Sequence, residues 1–239
     1  MFCKKKLICF DLDGTLIDSV GIWNQVDATL IEQLGGKKVD LFQIQVERDQ
    51  YLQHYKTYSD PYLEYCAYLK DKYNFALEEQ QVKQKRYEIS HYFLDQVIDL
   101  KPAVEFFLYA LKQQGFILAL TTTTSINNVD RYRKNNSNIN QKIDIDELFS
   151  LILTREDVEN IKPSPEMYIK AMQHFGLCSS ECLIFEDSLI GVEAANNAGI
   201  DVVAIYDQYS EHELDKIKQK AQYFVEDYQQ LVPEMNISD

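Results

Sequence analysis

Two carboxylates one residue apart, Asp11 and Asp13, follow directly on the apolar run from Leu7 to Phe10, and Gly14 and Thr15 come next. A short apolar run closed by a turn reads as a buried strand. Side chains at i and i+2 of an extended chain point the same way. Two bare acids so placed repel, and one pKa rises. A divalent cation removes the conflict, and Mg²⁺ favours carboxylates, water and phosphate oxygens. Asp11 can then be a nucleophile that forms an aspartyl-phosphate. Asp13 can protonate the leaving oxygen and later take a proton from water. Gly14 permits a sharp turn and a close approach of backbone to ligand. Taken alone, the same residues also fit a polar D-x-D-G turn, calcium loops included.

Three further groups share this placement. The apolar stretch Phe116 to Leu120 runs into the threonines Thr121 to Thr124. Leu183 to Phe185 ends in Glu186 and Asp187, and Lys162 stands before Pro163-Ser164-Pro165, a helix start. In that start Ser164 is the expected cap and Pro165 the first helical residue. Ligands of open α/β sheets bind at the carboxyl ends of the strands. If these strands are parallel, all four groups lie on one edge. Such a set suits phosphoryl transfer. A metal neutralises phosphate charge, a Lys and hydroxyls hold the other oxygens, and a carboxylate attacks in line. Nothing in it suits hydride or acyl transfer.

Strands alternating with helices imply an α/β fold with a doubly wound parallel sheet. The alternation breaks between 20 and 100. Apolar residues there recur at helical spacing, as in Ile22, Val26, Leu30 and Leu34, then Tyr62, Tyr65, Leu69 and Tyr73, then Tyr87, Ile89, Phe93 and Val97. Gly35-Gly36 closes the first of these helices, and Ser59-Asp60-Pro61 opens a later one. The expected organisation is a core of 1–19 plus 101–239 with an inserted helical domain at 20–100. Leu148 to Leu153 reads as a strand, and Arg131 to Lys142, rich in Asn and Lys, as a long loop or a frayed helix end, taken as an exposed insertion with a chance of disorder. Val225 to Asp239 reads as a weakly patterned tail.

The net charge of −14 over 239 residues argues against nucleic acid and anionic membranes as partners. An anionic substrate therefore needs local positive charge. Cys3, Cys9, Cys66, Cys178 and Cys182 form no C-x-x-C pair, and no His pattern accompanies them, which disfavours a zinc site. Reduced thiols, a four-residue apolar run near the start and no membrane-length segment make a cytoplasmic protein the expectation. A monomer is expected.

These motifs resemble those of the haloacid dehalogenase (HAD) superfamily of aspartate-nucleophile phosphotransferases. D-x-D-G-[TV] is present as Asp11 to Thr15, a Thr ends the next strand, K-P-x-P is present at Lys162, and an acidic pair at Glu186-Asp187 is trailed by Gly191, Ala194, Ala195, Ala198 and Gly199. The match spans nearly the whole chain in the family's order. The resemblance implies Asp11 as nucleophile and metal ligand, and Asp13 as acid/base that binds metal through its backbone carbonyl. It implies Thr122 as the phosphate-binding hydroxyl, Thr121 being one register away, with Thr123 following where the family has Asn or Ser. Lys162 would neutralise the phosphoryl group, Asp187 would complete a Mg²⁺ shell, and Glu186 would ligate through water or steady that shell. The helical insert would be a C1 cap, with Asp18 and Ser19 at its hinge and Trp23, Asn24, Arg48 and His54 as candidate contacts.

The activity implied is Mg²⁺-dependent hydrolysis of a small phosphorylated metabolite. Dehalogenases of the family lack the second acid and need no metal, so Asp13 argues against them. A β-phosphoglucomutase-like reaction is the nearer alternative. Such mutases carry Thr after the hinge Asp and His in the first cap helix, where this chain has Ser19 and Trp23. A non-catalytic binding module would be marked by loss of either acid, and both are present. The family often has Pro-Gly where this chain has Pro102-Ala103.

Overall fold

The computed structural model describes residues 1–55 and 58–232. The chain divides into two compact units, Met1–Val20 with Ile98–Asp239, and Gly21–Val97. In the first, β1 (Leu7–Phe10), β2 (Ile117–Thr121), β3 (Leu151–Leu153), β4 (Cys182–Glu186), β5 (Asp201–Ile205) and β6 (Tyr223–Val225) form a six-stranded sheet. Its order is β3-β2-β1-β4-β5-β6 and every pairing is parallel. The expected doubly wound sheet is therefore present. β1 is buried along its length, as a central strand covered on both faces must be.

The helical unit contains α1 (Ile22–Gln33), α2 (Leu41–His54), α3 (Pro61–Tyr73) and α4 (Glu79–Gln96). Asp60 caps α3 by accepting from Leu63 N at 3.0 Å, with Pro61 in the first turn. Val26, Leu30, Tyr65, Leu69, Ile89 and Phe93 are buried as their spacing implied, whereas Tyr62 and Tyr87 are 43% and 41% exposed. α2 carries no apolar stripe in the sequence. Its buried residues include Ile44 and Arg48, and Arg48 Nη1 bonds Asp27 Oδ2 at 3.2 Å.

Back in the sheet unit, α5 (Val104–Gln113) packs Phe107 against Phe185 of β4, with ring centres 5.4 Å apart. Phe10 stacks on Phe185 at 4.8 Å. Each such buried ring contributes about 2–3 kcal/mol by burial alone. Tyr228 also joins this face, 5.3 Å from Phe107, and its hydroxyl donates to Thr15 O at 3.2 Å. The tail is thus structured as far as 232, beginning with β6; residues 233–239 lie outside the described ones. On the opposite face, Leu7 and Cys9 meet Tyr168, Val192, Ala194 and Ala195. The small residues belong to α10 (Leu189–Asn197), which α6 (Ile126–Lys134), α7 (Ser137–Asn140), α8 (Ile145–Leu148) and α9 (Glu166–His174) precede in the chain and α11 (Leu214–Lys220) follows.

Several local expectations need correction. The Arg131 to Lys142 stretch is not an exposed insertion. Tyr132, Asn136 and Ile139 are buried, and Asn136 caps α7 by accepting from Ile139 N at 2.8 Å while donating to Ile98 O at 2.9 Å. An Asn-rich composition signals caps as well as loops. The strand expected from Leu148 begins only at Leu151, because Asp144 accepts from Asp146 N and Glu147 N and starts α8. α9 begins at Glu166, with Pro165 at its cap position, one residue later than expected, and Ser164 Oγ accepts from Glu166 N at 3.3 Å.

Candidate active site

The parallel register brings the strand ends together. Asp11 N donates to Phe185 O at 3.0 Å, and Thr122 N to Leu153 O at 3.0 Å, so both residues continue the sheet by one step. Glu186 ends β4. The candidate acids and threonines therefore share the carboxyl edge.

Lys162 is buried among them. Its Nζ donates to Asp11 Oδ1 at 2.5 Å, to Glu186 Oε1 at 2.5 Å and to Thr121 O at 3.0 Å. Glu186 is fully buried and its Oε1 also accepts from Tyr168 OH at 2.7 Å. Its Oε2 accepts from Ser188 Oγ and from Asp187 N, each at 3.2 Å. Gly191 leaves room for this carboxylate, since a Cβ there would lie 2.0 Å from Glu186 Cδ. Glu186 is thus turned inward onto Lys162, with both oxygens engaged.

Asp187 accepts from Thr15 Oγ1 at 2.8 Å. Gly14, at φ +84°, lies beneath it, and a Cβ at Gly14 would be 2.4 Å from Asp187 Oδ2. One oxygen each of Asp11, Glu186 and Asp187 falls within 4.8 Å of the others. Burial pushes the Asp11 carboxyl up to about 8, against the pull of Lys162 and with the push of Glu186. Asp187 is held well above the usual carboxylate range, by burial first and then by the charges of Glu186 and Asp11. Burial opposes the charge on Lys162, but Asp11 and Glu186 outweigh it and raise the ammonium above its ordinary value.

The buried acids outnumber the ammonium bonded to them, a crowding seen in the raised Asp11 and Asp187, and the donors are hard oxygens. Those are the conditions a Mg²⁺-sized cation satisfies. Asp11 and Asp187 have the better claim to ligate it. Glu186 belongs to the acidic cluster by distance, but its oxygens already serve Lys162, Tyr168 and Ser188.

Asp13 stands apart from that cluster. Its Oδ1 accepts from Ser19 Oγ at 2.6 Å, its Oδ2 from Thr124 Oγ1, and Tyr132 OH lies 3.5 Å from Oδ1. The threonine run divides its work. Thr121 Oγ1 donates to Phe10 O at 3.1 Å inside the sheet. Thr122 Oγ1 accepts from Thr124 N at 3.1 Å, which orders the loop and leaves the Thr122 hydroxyl proton for another acceptor. Thr123 is half-buried. The sequence names Thr15 and Thr124 within their motifs without a role for either hydroxyl, and does not mark Tyr132 or Tyr168 at all. Spacing shows which strand a hydroxyl follows, not which carboxylate it faces.

Within the helical unit, the candidate contacts make internal bonds. Arg48 pairs with Asp27, and Arg86 Nε bonds Asp27 Oδ1 at 2.6 Å. The Trp23 ring lies 4.9 Å from the Arg86 guanidinium. Asn24 donates to Gln45 Oε1 at 2.9 Å, and His54 meets the Tyr55 ring edge-on at 4.7 Å.

The parallel sheet gathers carboxylates, a buried Lys and hydroxyls on its carboxyl edge. The chain belongs to the haloacid dehalogenase-like hydrolases, whose family model matches residues 8–205. It is 28% identical over 231 residues to the phosphoglycolate phosphatase of Pasteurella multocida, covering 95% of this chain and 96% of that one. YhcW of Bacillus subtilis is 35% identical over 105 residues, so the matched part spans 44% of the length of that relative. The fold is similar to the crystal structure of a candidate β-phosphoglucomutase from Thermotoga maritima. The TM-score there is 0.77, at 20% identity over 98% of this chain and 100% of that one. No helix among the described residues is long and apolar enough to cross a membrane.

Proposed function

We propose that this enzyme is a Mg²⁺-dependent phosphatase acting on a small phosphorylated metabolite through Asp11. The observation that carries the reading is the buried group of Asp11, Asp187, Glu186 and Lys162 on the carboxyl edge. Asp11 attacks phosphorus through one carboxylate oxygen, the bond from phosphorus to the leaving oxygen breaks, and that oxygen takes the proton of Asp13. Water then attacks phosphorus and gives a proton to Asp13, and the bond from phosphorus to the Asp11 oxygen breaks, which frees inorganic phosphate and restores the Asp11 carboxylate. Lys162 and the Thr122 hydroxyl hold the phosphoryl oxygens. Asp11, Asp187 and the Asp13 carbonyl would hold Mg²⁺, which when bound supplies charge neutralisation of the phosphoryl group.

The relative named phosphoglycolate phosphatase supports a small phosphate ester as substrate. The inserted unit Gly21–Val97 is our candidate for a C1 cap that selects it, with Ser19 at the hinge. The free thiols of Cys3, Cys9, Cys66, Cys178 and Cys182 support a reducing, cytoplasmic setting. The test is Asp11→Asn. Phosphate release should fall at least about 10³-fold with the fold retained, and unchanged release would refute Asp11 as nucleophile. Product analysis with β-glucose 1-phosphate separates hydrolysis, which gives free phosphate, from a mutase, which gives glucose 6-phosphate.

A further inference from the structure

Among the described residues, the side-chain partners of the acid/base Asp13 are hydroxyls. Ser19 Oγ donates to its Oδ1 at 2.6 Å, Thr124 Oγ1 donates to its Oδ2, and the buried Tyr132 hydroxyl stands 3.5 Å from Oδ1. Thr124 is itself fixed at both ends of its peptide. Its N–H donates to Thr122 Oγ1 at 3.1 Å, and its carbonyl accepts from Arg155 N at 3.2 Å. Tyr132 is carried by α6, which packs into the core instead of looping out. From this geometry we infer that Thr124, backed by Tyr132, is a positioning residue that sets the direction in which Asp13 delivers its proton. The inference rests on the phosphatase reading above.

The choice of hydroxyls has a physical consequence. Asp13 must be a carboxylic acid when the leaving oxygen departs and a carboxylate when water attacks. An ammonium or an amide N–H can only donate, so it would hold the carboxylate and oppose the acid. A hydroxyl can rotate from donor to acceptor. A clasp of hydroxyls therefore keeps Asp13 in place in both states. It also leaves Lys162 to Asp11, Glu186 and the Thr121 carbonyl.

The experiment compares two esters that differ in how much they need the proton. An alkoxide is a strongly basic leaving group and departs only when protonated. Nitrophenolate is weakly basic and departs largely unaided. Thr124→Val, Thr124→Ser and Tyr132→Phe would be assayed with Mg²⁺ on glycerol 3-phosphate and on 4-nitrophenyl phosphate. Thr124→Val is expected to lower kcat/KM, which reports the transfer step and not the attack of water common to both esters, by about tenfold or more for the alkyl ester, a fraction of what general acid catalysis supplies. The loss of kcat/KM on the aryl ester should be under about threefold. Thr124→Ser, which keeps the hydroxyl, should restore the alkyl rate. Tyr132→Phe should show the same selectivity at smaller size.

Equal losses of kcat/KM on both esters would overturn the inference. Those results assign Thr124 to packing or to direct substrate binding, while wild-type turnover of both esters leaves the phosphatase reading standing. A wild-type enzyme that released phosphate from neither, nor from any other ester, would overturn both.

Discussion

Lys162 Nζ lies 2.5 Å from Asp11 Oδ1, so a counter-charge for Asp11 is built into the sheet edge before any substrate arrives. The same nitrogen is 2.5 Å from Glu186 Oε1. Lys162→Met removes the ammonium that bonds the buried Asp11 and Glu186. It should lower kcat/KM by at least about 10²-fold, in the range seen when a charge-stabilising donor is lost. In metal-free protein near neutral pH it should also cost about 3 kcal/mol of stability, because a buried charge is left unpaired. Steady-state kinetics and denaturant unfolding check both parts.

The acids set a pH dependence of the metal-free protein. Asp11 is raised to about 8 in the folded state from an ordinary 3.8, so between these values the folded protein holds a proton that the unfolded chain has lost. Stability contributed by this group therefore declines as pH rises from about 4 to about 8. Asp187 is raised too and acts in the same direction. The melting temperature in chelator should fall from pH 6 to pH 8. Mg²⁺ should raise it by more at pH 8 than at pH 6, since binding to the folded state alone stabilises it. Asp187→Asn should flatten the slope and reduce the Mg²⁺ shift. A melting temperature insensitive to both pH and Mg²⁺ would contradict this electrostatic picture.

Gly191 is needed for steric reasons. An added Cβ would meet Glu186 Cδ at 2.0 Å and its oxygens at 2.1 Å. Gly191→Ala must push Glu186 off Lys162 and Tyr168. The expected cost is roughly 2–3 kcal/mol, from overpacking together with unsatisfied buried polar groups. Activity should fall as Lys162 loses its second anchor. Chemical denaturation and kcat measurement on the variant decide it; wild-type values for both would show that Glu186 has somewhere else to go.

Ala103 sits at φ 65°, ψ 4°, in the left-handed region that an alanine occupies at a cost of about 1 kcal/mol. Ala103→Gly removes that strain and gives back part of the gain in unfolded-chain entropy. A net stabilisation of about 0.5 kcal/mol is expected, seen as a rise in melting temperature with kinetics unchanged. A lower melting temperature would mean that the Ala103 methyl contributes packing that outweighs its strain.

The parts of this protein that were legible in the sequence share one property: they lie in the alternation of strand and helix. Asp11, the threonines and Glu186-Asp187 could be assigned to one edge because each ends an apolar run, and parallel pairing does the rest. Lys162 could be placed beside them because Pro163 and Pro165 mark the approach to a helix. The orientation of side chains at that edge could not be read. Glu186 points inward only because Gly191 and Tyr168 leave it a polar hole, and both reach it through tertiary packing. Asp13 looks toward Thr124 and Tyr132 for the same reason. The Asn-rich segment misled because Asn serves loops and helix caps alike, and Asn136 caps α7 with its oxygen while its amide reaches Ile98 O. α2 went unmarked because its few buried positions include Arg48, whose partner Asp27 lies on another helix.

The most direct measurement is phosphate release from a panel of small phosphate esters by the wild-type enzyme, with Mg²⁺ and with chelator, alongside Asp11→Asn. The expected result is release from at least one ester that vanishes on chelation, returns on adding Mg²⁺ and is absent in Asp11→Asn under both conditions. Full turnover in chelator, or turnover by Asp11→Asn equal to wild type, would contradict a metal-assisted attack by Asp11.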